Sequence, residues 1–253
     1  MKIDTVITAG NINHHYLQLF PLIKQVWIKR FNINPLCILI ADNIPDYLIE
    51  HKDNIILFPP IQGINDIFVA QVIRLLYPAL LPDNTIITSD LDIIPVKKQY
   101  FIDSIQNIPD DTFITFTDRY VHLDMYALCF NVAKGSTFKK IFNINNIQDI
   151  INTIKLWYHP EYIGRKNCPG WYTDQKQLFI HFNNYNGNKI CLKDSIIGFN
   201  RLNNRQRDKE RIVTDFKNVL NNLEQYSDIH CIKPFRKTGS YIKKIIKKLL
   251  ENY

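Results

Sequence analysis

The stretch Thr85-Ile86-Ile87-Thr88-Ser89-Asp90-Leu91-Asp92-Ile93-Ile94-Pro95 runs an apolar strand into two carboxylates set two residues apart. In extended chain, residues i and i+2 point to the same side. Asp90 and Asp92 are therefore expected to face one cation, or to hold it with one carboxylate bound directly and the other through water. Carboxylate oxygens suit hard ions such as Mg²⁺ or Mn²⁺. An ion held there can bridge a diphosphate and neutralise its charge as it leaves. Acidic turns at strand ends are common, and a bare D-x-D is often no more than that. Here both flanks are apolar, so the carboxylates sit beside a core, where an unpaired charge is costly and a cationic partner offsets the cost.

Upstream of this stretch, apolar runs alternate with helical patterns. Ile3 to Ala9 is a short apolar run that stops at Gly10-Asn11, and His15 to Phe31 carries Leu17, Phe20, Ile23, Trp27 and Phe31 at helical spacing. Leu36 to Ala41 reads as a second strand ending at Asp42-Asn43, and Ile55 to Phe58 as a third, closed by Pro59-Pro60. Asp66 to Leu81 reads as a helix, with Pro78 kinking it or marking its last turn. This order predicts an α/β fold with a mostly parallel central sheet flanked by helices. In such sheets ligands bind beyond the carboxyl ends of the strands. Downstream, Phe113 to Thr117, Tyr126 to Val132 and Lys189 to Leu192 read as strands. Lys134 to Phe142, Ile147 to Trp157 and Asp174 to Phe182 read as helices. Tyr241 to Tyr253 is a basic amphipathic helix, which divides the chain into a domain over 1–235 and a helical tail over 236–253.

At 253 residues, 46% hydrophobic and 22% charged, the chain is long enough to bury a full core and is not of disordered composition. Five scattered cysteines, Cys37, Cys129, Cys168, Cys191 and Cys231, show no zinc spacing and read as free thiols of a reducing compartment. Met1 to Gly10 lacks the pattern of a signal peptide, and no apolar run is long enough to span a bilayer. A cytoplasmic protein is expected, with peripheral membrane contact through 241–253 as an open alternative to packing of that helix on the domain. The net charge of +7 fits nucleic acid, anionic lipid or a nucleotide diphosphate, and does not choose among them.

The segment Gln71-Val72-Ile73-Arg74-Leu75-Leu76-Tyr77-Pro78-Ala79-Leu80-Leu81-Pro82, followed by the strand and Ser89 to Pro95, resembles the core of GT-A fold glycosyltransferases. It is most similar to the glycogenin-like and lipopolysaccharide galactosyltransferase-like group, glycosyltransferase family 8. Tyr126 to Ser136, Thr173-Asp174-Gln175-Lys176-Gln177-Leu178 and Asp228 to Phe235 resemble that group's Asn-bearing strand, its D-Q-x-x-L element and its C-terminal His-to-Lys motif, here without the motif's Gly and with Phe235 for its Trp. The resemblance implies a single GT-A (Rossmann-like) domain and transfer of a sugar from a nucleotide-diphosphate sugar, of the UDP class, to a glycan, lipid or protein. It implies Mn²⁺ or Mg²⁺ held by Asp90, Asp92 and His230. Arg74, Asp90, Leu91, Asn131 and Lys233 would lie at the donor, and Asp174 and Gln175 beside the reacting carbon.

Read without the family, these residues keep plainer alternatives. Arg74 could be a helix-surface ion pair or a guanidinium aimed at phosphate or sugar oxygens. His230 could be structural or a neutral imidazole ligand. Thr173 could cap a helix with Asp174 supporting its dipole; alternatively Asp174 and Gln175 stabilise an oxocarbenium-like state. Thr8, Ala9, Gly10 and Asn11 end the first strand, where Gly10 would let a nucleotide approach the backbone or simply make a tight turn. Asp42 could contact base or ribose, or cap a turn. Trp171 and Tyr172 form an acceptor platform or belong to the core, and Asp118, His122 and Asp124 offer an acceptor-side base. The competing functions are a non-catalytic sugar-nucleotide- or nucleic-acid-binding protein, using the basic run Arg201 to Arg211, and a nucleotidyltransferase. No nucleic-acid-reading motif is present and no aromatic residues interleave that run, so no nucleic acid partner is expected.

Overall fold

Val6 and Ile7 are neighbours in one strand, both fully buried, and they serve two different cores. That alternation runs across the middle of the sheet in the computed structural model, which describes residues 1–203, 210, 214–231 and 235–251. The strands are β1 (Thr5–Asn11), β2 (Asn34–Ile40), β3 (Ile55–Phe58), β4 (Thr85–Thr88), β5 (Ile93–Pro95), β6 (Phe113–Thr115), β7 (Asn131–Lys134), β8 (Lys189–Cys191), β9 (Arg201–Leu202) and β10 (Asp228–His230). Seven form the central sheet in the order β3-β2-β1-β4-β7-β6-β8. Only β7 runs against its neighbours, so the sheet is mostly parallel, as expected. A small second sheet, β5-β10-β9, sits beside the end of β4.

The helices are α1 (His14–Leu17), α2 (Phe20–Val26), α3 (Asp66–Leu76), α4 (Gly135–Phe142), α5 (Ile147–Trp157), α6 (Thr173–Asn184), α7 (Asp194–Ile197), the helix Phe216–Asn221 and the C-terminal helix Phe235–Leu250. Ile7, Ile86, Phe113 and Ala133 bury against α3 and α4, while Val6, Ile87, Ile114 and Val132 bury with Trp27, Phe101, Phe130 and the C-terminal helix. A third, smaller cluster of Leu17, Phe20, Leu39, Leu48 and Leu91 lies by the carboxyl end of β1.

Three expected elements differ. The single helix over His15 to Phe31 is broken into α1, α2 and a wide turn over Trp27–Phe31. Pro21 lies in the first turn of α2, where its missing N–H costs nothing, so the helix restarts there. The helix from Asp66 stops at Leu76 and tightens to a 3-10 turn, Tyr77–Leu80, around Pro78. The strand over Tyr126 to Val132 shrinks to Asn131–Lys134, because the Asn131 amide takes the carbonyls of Ala127 and Leu128 at 3.0 and 2.8 Å and bends the chain before it. The C-terminal helix begins at Phe235 and buries Ile242, Ile245, Ile246 and Leu249 in the same core as β1 and β4. Its apolar face therefore packs on the domain and is not free to enter a membrane. No helix among the described residues is long and apolar enough to cross one.

Candidate active site

The D-x-D loop sends its three side chains in three directions. It leaves β4 and turns at Leu91 and Asp92 before β5, so the i, i+2 rule of extended chain lapses. Leu91 sets the turn. It is 4% exposed and fills the small cluster with Leu17, Phe20, Leu39 and Leu48. To get there it passes under Gly10: a Cβ on that glycine would lie 2.5 Å from Leu91 Cδ1. The space over Gly10 is thus taken by Leu91. Before it Asp90 meets Arg74, and after it Asp92 meets His230.

Asp90 pairs with Arg74. Arg74 stands in the last turn of α3, 8% exposed, and its second terminal nitrogen lies 3.9 Å from Asp174 Oδ2. Burial disfavours the guanidinium charge, and the two carboxylates more than offset that, so its pKa is raised. Asp174 is the second residue of α6 and is also buried. Burial pushes its carboxyl up to about 7, against the pull of Arg74 and of the Gln175 N–H, which it accepts at 2.8 Å. Thr173 does not cap α6; it is the first helical residue, and Tyr172 before it makes no side-chain cap. The carbonyl of Gln175 accepts the Tyr126 N–H, joining α6 to the chain that enters β7.

Asp92 meets His230. β10 pairs antiparallel with β5, with His230 opposite Ile93, and the buried Ile229 anchors the strand. This register brings His230 Nε2 to 3.0 Å from Asp92 Oδ2, while Nδ1 faces Asn203 Oδ1 at 3.3 Å. The Cys231 N–H donates to the Asp92 carbonyl at 2.7 Å and locks the pairing. A ligand–ligand edge of roughly 3 Å is what an octahedral ion with bonds of about 2.1 Å requires. The Asp92–His230 contact is a hydrogen bond whose length equals that edge. Among the described residues no three His, Cys, Asp or Glu side chains are gathered to hold a metal, because Asp90 is turned to Arg74.

The other expected residues fall in two places. Thr8, Ala9, Gly10, Asn11 and Asp42 are at the carboxyl ends of β1 and β2, on the edge where β4 releases Asp90. Thr8 is buried and donates to the Leu36 carbonyl, and Asn11 accepts from the Asn13 N–H. Asp42 is exposed; with burial, it raises the carboxyl of Asp66 at the start of α3. Asn131 is fully buried behind the strand ends, its amide donating to main-chain carbonyls, and its Oδ1 has no partner among the described residues. Trp171 stacks on Tyr162, and Tyr172 donates to Asn167. Asp118 accepts the Asp194 N–H, while His122 and Asp124 are exposed in the loop after β6. Lys233 and most of the Arg201 to Arg211 run lie outside the described residues.

One buried pair escaped the sequence reading. Arg201 on β9 binds Asp228 on β10, which is fully buried, and also reaches Cys129 Sγ at 3.6 Å. It braces the strand that carries His230. The available signal was a charge in each of two short apolar strands, Arg201-Leu202 and Asp228-Ile229.

No protein-family model matches the chain, and no curated protein matches it. Among solved structures it is similar to two crystal structures of the glycosyltransferase GlyE of Streptococcus pneumoniae TIGR4, at 12% and 13% identity, each with a TM-score of 0.51. The fold is the GT-A fold. The matches cover 100% of this chain and 63% and 64% of GlyE, so the chain spans less than two thirds of that protein. A galactosyltransferase, LgtC, solved with donor and acceptor sugar analogues, is similar at 10% identity and a TM-score of 0.47, over 98% of this chain and 95% of that one. Asp90 and Asp92 thus follow a central strand of a GT-A sheet.

Proposed function

We propose that this chain is a metal-dependent glycosyltransferase that moves a sugar from a nucleotide-diphosphate sugar to a hydroxyl of a glycan, lipid or protein. One observation carries the reading. At the carboxyl edge of a GT-A sheet, the second carboxylate of a D-x-D loop meets an imidazole at ligand spacing. Asp92 and His230 would hold Mn²⁺ or Mg²⁺, with Asp90 close by in the same loop and paired with Arg74. Such an ion, when bound, supplies positive charge for a departing diphosphate.

The chain's own groups do the rest. Arg74 holds Asp90 and Asp174 in one buried arrangement and keeps positive charge at the site. Asp174 and Gln175 open α6 beside it, where a carboxylate or amide favours a carbon gaining positive charge. The buried Leu91 side chain anchors the loop in the small cluster. A nucleotidyltransferase would need a glycine-rich phosphate loop after β1, and the one glycine there, Gly10, is covered by Leu91.

The test is a thermal-shift panel of nucleotide diphosphates and their sugars, each with Mn²⁺, Mg²⁺ or chelator. A rise in Tm with one nucleotide that needs the metal and disappears in Asp92→Asn supports the reading. Shifts that ignore both chelator and substitution would count against it.

A further inference from the structure

The C-terminal helix Phe235–Leu250 holds six basic residues, Arg236, Lys237, Lys243, Lys244, Lys247 and Lys248, and no acidic one. The whole chain carries a net +7, so its remaining residues sum to +1. The basic excess that the sequence could not place is thus one helix.

Its geometry sorts the charges from the apolar residues. Ile242, Ile245, Ile246 and Leu249 turn inward against α2 and the Trp27–Phe31 turn. The main-chain carbonyl of Leu249 accepts from Arg30 Nη1 at 3.4 Å. At 3.6 residues per turn, Lys243, Lys244, Lys247 and Lys248 share the outward face, and all four are exposed. Lys248 shares its charge with the exposed Glu251 at 3.0 Å. Between this helix and α2 runs a shallow groove of about 360 Å³, lined by Leu22, Ile246 and Leu250 together with Lys243, Lys247 and the acidic Glu251.

We propose that this lysine face docks the protein flat on an anionic phospholipid surface, through charge and without insertion of the helix. Insertion would need the apolar face, which the core already occupies. Ammonium groups spread over one flat face match the diffuse phosphate charge of lipid headgroups, and clusters of four or more such groups suffice for that attraction. Binding of single-stranded nucleic acid would call for aromatic platforms between the charges. The aromatic residue at the start of the stripe, Tyr241, is instead packed edge-on against Phe216 at 4.8 Å. The proposal is independent of the catalytic reading.

The experiment is flotation of the full chain with vesicles of phosphatidylcholine alone or with phosphatidylserine, at low and high salt. Binding is expected only to the anionic vesicles, and is expected to fall as salt rises. Changing Lys243, Lys244, Lys247 and Lys248 to Gln should weaken it by roughly fivefold per lysine. A control that removes the same charge elsewhere, at the exposed Lys139, Lys140, Lys155 and Lys166, should keep most of the binding. Equal binding to neutral vesicles, no binding to anionic ones, or equal loss in the two quadruple variants would overturn the proposal. So would tighter binding of the wild type to an oligonucleotide than to the anionic vesicles at the same salt.

Discussion

Burial raises the Asp174 carboxyl, and replacing it with Asn should show that as a pH effect. Its side chain is 5% exposed, and burial raises its pKa from the ordinary 3.8 to about 7. The folded state therefore binds this proton more tightly than the unfolded state. The stability from that proton is complete below 3.8 and is lost as pH rises through about 7. Between about pH 5 and about pH 8 the wild type should lose roughly 3 kcal/mol from this group. Asp174→Asn does not titrate, and Arg74 keeps Asp90 as its partner. Urea unfolding followed by circular dichroism, at both pH values and on both proteins, gives the comparison. The stability of the variant relative to the wild type should move in its favour by roughly 3 kcal/mol on going from the lower pH to the higher. If the two proteins respond to pH in parallel, Asp174 is not a proton-holding carboxyl, and the account of the Arg74 cluster fails.

Gly10→Ala puts a methyl against Leu91 Cδ1 at 2.5 Å; a loss of about 1–3 kcal/mol is expected, partly recovered in urea unfolding when Leu91→Ala is added. Arg201→Ala leaves the fully buried Asp228 without its cation, and a loss of about 3–5 kcal/mol should follow; a variant that unfolds at the wild-type urea concentration would show the pair to be inessential. Burial pushes the thiols of Cys37 and Cys129 up to about 12, so neither should react with a thiol reagent in the native protein, and both should react on unfolding.

Much of the fold was legible because local signals were strong. β3 lies at Ile55–Phe58 and α5 at Ile147–Trp157, each with the bounds read from the sequence. α5 also has a clear local start, with the Asn146 side chain accepting from the Asp149 N–H. What failed depends on distant partners. The turn at Leu91 cannot be read locally because the pocket that takes this side chain is built from α1, β2 and the turn around Leu48, none of them adjacent to it in sequence. The strand before Asn131 was overcalled because an amide that bends its own backbone looks, in sequence, like any polar residue in an apolar run. Arg74 read as surface or ligand-facing, since its partner Asp174 lies on a different helix. For the C-terminal helix, the amphipathic pattern was plain, but whether core or lipid covered its apolar side could not be read until α2 was seen beneath it.

The most direct test of the catalytic account is release of nucleoside diphosphate from a panel of nucleotide-diphosphate sugars, with Mn²⁺ or chelator, by the wild type and His230→Ala. The account predicts release from at least one donor that stops with chelator and falls at least about tenfold in the variant, as loss of one metal-site partner does. Release that proceeds equally with chelator and in His230→Ala would contradict it, and would leave Asp92 and His230 as an ordinary hydrogen-bonded pair.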